Sequence, residues 1–189
     1  CLYFPKRKDL FEKLFPADFI LEAREQVRGW FNLLMIASII GLDKIPFKNV
    51  YAHGMLTDVD GVKMSKSLGN VISPYEIIEK YGADTLRLYF SQTNAGEDIS
   101  FSWDEMDVKK RNLMILWNTF NYLMEYSKSQ KIDPTSLSNN LEIEEKYILS
   151  RLNTTIKKVT ELYEFYELDK IPIELEKLFL DLSRNYMQY

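Results

Sequence analysis

The 189 residues carry 24 Lys and Arg against 28 Asp and Glu, a net charge of −4, and 46% of them are hydrophobic. That content supports one sizeable domain, or one and a half, and it argues against a nucleic-acid binder held by bulk positive charge. With one cysteine, Cys1, and one histidine, His53, the chain can form neither an internal disulfide nor a closed structural zinc site, so a reducing cytoplasmic setting is expected and no metal site is assigned.

The longest apolar run, Leu33 to Leu42, is about ten residues, too short to span a bilayer, and no membrane partner is expected. The N-terminus shows no apolar stretch followed by a small-residue cleavage site, so no signal peptide is read there. The missing initiator Met suggests a piece of a longer chain. Charge is uneven: residues 1–70 hold ten Lys/Arg against eight Asp/Glu, and residues 71–189 hold fourteen against twenty.

In chain order, residues 18–22 are short and apolar at their centre and predict a buried strand. A helix is expected from Glu25 to Gly41, with Gly41 as its stop. Phe47 to His53 is β-branched and aromatic and predicts a second strand. A strand, a helix and a strand make a βαβ unit, which implies a parallel sheet. Asp58-Val59-Asp60-Gly61 then reads as a hairpin turn. Ser73 and Pro74 open a helix ending near Gly82, and Asp84 is expected to cap a second one, Thr85 to Gln92. Residues 94–98 read as a loop. Ser102 is placed to cap a long helix, Trp103 to Lys128, with Leu113, Leu116, Trp117, Phe120 and Leu123 along one stripe. The Trp117, Phe120 and Tyr122 rings are expected in the core. Residues 131–140 form the clearest linker, and two helices follow, Glu142–Phe165 and Ile173–Gln188, with Pro172 at the start of the last.

The densest chemistry lies in Lys63-Met64-Ser65-Lys66-Ser67. Two ammonium groups three residues apart, with hydroxyls between them, suit a triphosphate whose charge redistributes during reaction. The blander reading is a solvated surface loop. A Walker phosphate loop is excluded, because Gly61-Val62-Lys63-Met64-Ser65 lacks both its spacing and its leading glycine. The lysines must therefore act as point charges outside any rigid cradle of amides. Glu22 ends a strand at the sheet edge where ligands of open α/β folds bind. Trp30 on a helix face and His53 at a strand end are by default packing residues. Lys109-Lys110-Arg111 is by default a solvated helix turn, with a nucleic-acid backbone contact as the alternative.

Lys63 to Ser67, followed by Leu68-Gly69-Asn70, resembles the KMSKS signature of the class I aminoacyl-tRNA synthetases. Val71-Ile72-Ser73-Pro74 and Tyr81-Gly82-Ala83-Asp84-Thr85-Leu86-Arg87 match the subgroup for branched aliphatic amino acids and methionine. Phe15-Pro16-Ala17-Asp18 and the run Glu22 to Phe31 look most like the isoleucyl enzymes; valyl, leucyl and methionyl enzymes are the alternatives. The resemblance is good over residues 15–125 and only compositional beyond.

It implies an α/β fold, the second half of a Rossmann-like nucleotide-binding domain, followed by an α-helical bundle. Residues 1–100 would hold the catalytic half with the signature loop at 63–67 and connecting helices, and residues 101–189 the start of the anticodon-binding domain. It implies ATP with Mg2+, isoleucine and tRNA(Ile) as partners, and a monomeric parent. By the same resemblance Lys63, Met64, Ser65, Lys66 and Ser67 bind the ATP phosphates, with Lys66 acting in the transition state. His53 and Gly54 lie beside the adenosine. Glu22 meets the ribose hydroxyls, Gln26 the polar end of the amino acid or the α-phosphate, and Trp30 walls the aliphatic pocket. Glu25 belongs to the same adenylate-binding run. Two positions depart from the family pattern: Ala23 stands where Gly is usual, and Glu25 where Asp is usual. The partner signature HIGH is absent, since Ala52-His53-Gly54-Met55 is not it, and so is the large editing insertion. The expectation is a fragment that does not turn over alone; a non-catalytic, synthetase-derived binding module is the rival.

Overall fold

The computed structural model describes residues 6–133, 135–136 and 140–188. They form two compact units. One holds residues up to Met64 together with Asn94–Phe101, and the other holds Ser65–Thr93 and Ser102 onward. No described helix is long and apolar enough to cross a membrane.

The first unit opens with helix α1, Lys8–Leu14, and strand β1, Ala17–Ala23. A 3-10 turn over Arg24–Arg28 leads into helix α2, Trp30–Leu42, and then to strand β2, Phe47–His53. β1 and β2 pair in parallel, Ala17 opposite Phe47 and Ala23 opposite His53, as the βαβ reading requires. The expected single helix is thus two pieces, interrupted at Gly29, which has φ −125° and ψ −113°. Gly41 does not stop α2; it lies inside the helix, and Asp43 ends it in the left-handed region at φ 52°. The buried Ser38 hydroxyl donates to Lys44 O at 2.7 Å and ties the helix to the turn that follows.

α2 is apolar nearly all round, yet only Phe31 and Ser38 are buried on it, and Ile40 is 81% exposed. Of β1, only Ile20 and Ala23 are buried. Two strands leave much of the sheet surface uncovered, and Leu21 and Val50 are about half exposed.

Residues 94–98 form a loop, but it and the residues after it return to the strands. Ala95 bridges His53 antiparallel, and strand β4, Ile99–Ser100, pairs in parallel with β3, Leu56–Thr57. Sequence pattern missed this because two-residue strands carry no periodicity.

The second unit holds helices α3, Pro74–Tyr81, and α4, Ala83–Ser91. α3 begins and ends as expected, but Ser73 makes no side-chain cap bond. Asp84 is no cap either: it sits inside the first turn of α4 and pairs with Arg87 at 2.6 Å. Helix α5, Trp103–Gln130, is capped by Ser102, whose Oγ accepts the Glu105 amide. Ile77, Tyr81, Tyr89 and Met106 are buried, and the Tyr89 hydroxyl accepts the Ser102 amide at 3.1 Å.

Helices α6, Ile143–Glu164, and α7, Lys170–Arg184, complete the unit. The linker expectation falls partly on residues 134 and 137–139, outside the described residues. α7 packs on both α5 and α6. Its anchor is the buried Glu176, whose carboxylate accepts Asn112 Nδ2 at 2.6 Å and both Gln92 Nε2 and Lys109 Nζ at 2.9 Å. Burial pushes this carboxyl up, but the three donors outweigh it and hold the group below the usual glutamate range. The aromatic stripe of α5 is not core: Trp117 is 58% exposed and Phe120 50%. α7 meets α5 at the Lys109–Asn112 turn and leaves that stripe uncovered.

Candidate active site

β1 and β2 end side by side, Glu22 in register with Ala52 and Ala23 with His53. Both Glu22 and Glu25 are exposed and make no ion pair among the described residues, so two carboxylates are available at the C-terminal edge of the sheet. Carboxylates there can accept hydrogen bonds from ligand hydroxyls or an ammonium group.

Gln26 is fixed by the helix it precedes. Its Oε1 accepts the Trp30 amide at 2.9 Å, capping α2, which leaves the amide's donor end for a ligand. A Cβ on residue 29 would lie 2.7 Å from that Oε1, so any side chain there would displace the Gln26 amide from this bond. Trp30 follows, half exposed, and lines an apolar hollow of about 540 Å³ with Phe11, Phe15, Ile20, Leu34 and Pro46.

At the end of β2 the His53 ring nitrogen Nδ1 lies 2.8 Å from Gly54 O. Gly54 is buried against the returning segment: a Cβ there would sit 1.8 Å from Glu97 O. Asp98 binds on both sides of this corner. Its Oδ1 accepts the Met55 amide at 2.7 Å and its Oδ2 accepts Arg24 Nη2 at 2.7 Å. The Met55 amide, and with it Arg24, holds the Asp98 carboxyl below the usual range against the opposing pull of burial.

The hairpin predicted at residues 58–61 forms. Asp58 Oδ1 accepts the amides of Asp60 and Val62, at 3.1 and 2.8 Å, and Gly61 takes φ +76°. Lys63 then bridges Thr57, in β3, antiparallel. Lys63 and Met64 belong to the first unit and Ser65 onward to the second.

The turn after that boundary is organised by Asn70, whose Oδ1 accepts the Ser65 amide at 2.9 Å. Ser65 Oγ accepts the Leu68 amide and lies 3.1 Å from Ser67 Oγ. The hydroxyls expected to face a ligand are thus bonded within the turn. Lys66 at the tip is exposed and has no ion pair among the described residues.

Of the Lys109-Lys110-Arg111 run, Lys109 is taken by Glu176, and Lys110 donates to Lys80 O at 2.9 Å while lying 5.5 Å from the Tyr81 ring centroid. Sequence reasoning did not single out Arg24, Asp98 or Asn70 as organisers of the site. Only Asn70 left a local signal, a turn residue five positions after Ser65.

A family model described as tRNA synthetases class I (I, L, M and V) matches residues 1–102, which include the ends of β1 and β2 and the turn at 63–70. The chain belongs to the class I aminoacyl-tRNA synthetases. A second family model, the anticodon-binding domain of tRNA ligase, matches residues 145–189. Among curated class I synthetases, the isoleucine–tRNA ligase of Methanocella arvoryzae is 43% identical over 99% of this chain, and that of Pyrococcus furiosus is also 43% identical over 99%. The chain spans about a fifth of the length of these relatives, 18% in both cases. Two solved class I synthetases share the fold. Mycobacterium tuberculosis methionyl-tRNA synthetase in complex with methionyl-adenylate matches with a TM-score of 0.72 and 23% identity, over 98% of this chain and 37% of its own. The Agrobacterium radiobacter K84 LeuRS in a ternary complex with tRNA and LeuAMS gives 0.76 and 24%, over 95% of this chain and 24% of its own.

Proposed function

We propose that this chain is part of an isoleucyl-tRNA synthetase, which activates isoleucine with ATP and transfers it to tRNA(Ile) in the cytoplasm. The observation that carries this reading is the 43% identity to isoleucine–tRNA ligases over 99% of the chain. Residues 1–100 would be the second half of the Rossmann-like catalytic domain with its connecting helices, and residues 101–189 the start of the anticodon-binding bundle.

In the first step the isoleucine carboxylate attacks the α-phosphorus of ATP, the bond to the β-phosphate oxygen breaks, and pyrophosphate leaves. Negative charge grows on the leaving group, and Lys63 and Lys66 are the cations assigned to meet it, with Met64, Ser65 and Ser67 forming the turn beside the phosphates. Lys66 is an exposed ammonium without an ion pair among the described residues, so nothing must break before it engages. A cation that meets the charge only as it develops raises rate rather than affinity. Mg2+ accompanies ATP as the counter-ion of its phosphates.

Glu22 accepts the ribose hydroxyls, Gln26 donates to the amino acid or the α-phosphate, and His53 and Gly54 flank the adenosine. Glu25 extends the acceptor set. Trp30 walls the pocket for the branched side chain. In the second step a terminal ribose hydroxyl of tRNA attacks the adenylate carbonyl and AMP leaves.

The test is amino-acid-dependent ATP–pyrophosphate exchange by the full-length parent. Isoleucine is expected to support exchange well above valine, leucine or methionine, and preference for one of those three would overturn the assignment. Residues 1–189 alone are expected to give no exchange.

A further inference from the structure

The corner at the end of β2 is held by a return segment that the fold alone brings there. Gly96 donates to Ala52 O at 2.8 Å, and Ile99 donates to Met55 O at 2.9 Å. Asp98, between them, accepts the Met55 amide, so both backbone polar groups of Met55 are bonded within the protein. The other oxygen of Asp98 holds Arg24, the residue that follows β1, and Arg24 Nη1 reaches Gly96 O at 3.4 Å. One carboxylate thus fastens the outlets of both strands.

We propose that Asp98 is a positioning residue for the nucleotide, acting through the Met55 amide to fix the Gly54–Met55 corner against which the adenosine rests. The proposal builds on the nucleotide site assigned above. Asp98 itself touches no ligand in this scheme, because its two oxygens are committed to Met55 and Arg24. The residues it fixes are the ones that flank the nucleotide: Gly54 on one side, and the run leading to Glu25 and Gln26 on the other. A carboxylate accepting an amide is the stronger kind of hydrogen bond.

The test uses the full-length enzyme. Asp98→Ala is expected to raise the KM for ATP at least tenfold in isoleucine-dependent exchange, with the KM for isoleucine within twofold. Asp98→Asn keeps an acceptor for the Met55 amide and is expected to stay within threefold of wild type. Arg24→Gln, which leaves the Met55 bond intact, is expected to raise the ATP KM no more than about threefold; should Asp98→Ala fail to fold, Asp98→Leu, branched at the same carbon but without an acceptor, takes its place with the same tenfold expectation. An unchanged ATP KM in Asp98→Ala would sink the proposal. So would equal rises for ATP and isoleucine, the mark of a merely structural role, or an Asn variant as impaired as the Ala one. Calorimetric binding of a non-hydrolysable ATP analogue gives a readout independent of the amino acid: a tenfold weaker Kd in Asp98→Ala supports the role even where the isoleucine assignment fails. Absence of analogue binding by the wild type overturns both.

Discussion

The ends of β1 and β2 and the tip of the signature turn are assigned above to one reaction, yet they are built differently. At the strand ends the groups that hold the backbone are committed, Gln26 to Trp30, Asp98 to Met55 and Arg24, Gly96 to Ala52, while the Glu22 and Glu25 carboxylates stay exposed. In the turn the backbone is equally bonded, through Asn70 and Ser65, but the Lys66 ammonium is left to solvent. A surface that must hold a ligand's shape gains from being fixed beforehand. A charge that must meet a transition state gains from having no ground-state partner to give up.

The largest expected effect tests the free end of that contrast. Lys66→Ala in the full-length enzyme is expected to slow isoleucine activation about 10²–10³-fold. Isoleucine affinity should change little, since the lysine is assigned to phosphate charge. Pre-steady-state adenylate formation measures this, and an unchanged rate would remove Lys66 from the mechanism. Next comes the fixed end. Gly54→Ala places a Cβ 1.8 Å from a backbone carbonyl, and no side chain can move aside to relieve it. The return segment must shift, at about 1–3 kcal/mol. Hydrogen exchange should then accelerate at Met55 and Ile99 together, and acceleration at neither would mean the corner tolerates the methyl.

Much of this contrast was legible in the residues, and the rest was not for a physical reason. β1, β2 and their parallel pairing follow from short apolar runs separated by a helix-length segment. The Asp58–Gly61 turn and the Ser102 cap follow from local chemistry that needs no tertiary context. Asp98 meets Arg24 across 74 positions, and nothing near either residue announces the other. The stripe on α5 fails differently. Periodicity shows that Trp117 and Phe120 share an apolar face, but it does not say what covers that face, and among the described residues both rings stay half exposed. Ser73 fails a third way. It is the right residue in front of Pro74, yet its side chain makes no cap bond, because a preference of residue type does not dictate a rotamer.

The helical unit supplies a graded test of commitment by burial. Glu176 is buried with three donors around it, so Glu176→Ala leaves Lys109 half buried without its partner and is expected to cost about 2–3 kcal/mol. Because its folded pKa lies below the ordinary 4.5, the unfolded chain binds this proton more readily. The contribution is therefore full above about pH 4.5 and fades as pH falls through the lower folded value. Acid melts of wild type and Glu176→Gln should converge as that window is crossed. A constant gap would mean that shape, not charge, makes the hub.

The smallest effect is expected at Ser73. With no cap bond to lose, Ser73→Ala should change stability by no more than about 0.5 kcal/mol, against roughly 1 kcal/mol for Ser102→Ala, whose hydroxyl does accept an amide. The pair sets a made bond against an unmade one at two helix starts of the same unit. Thermal unfolding of the two variants side by side should rank them Ser102 above Ser73. Equal losses would mean that Ser73 adopts the capping rotamer in solution and that the two helix starts are built alike.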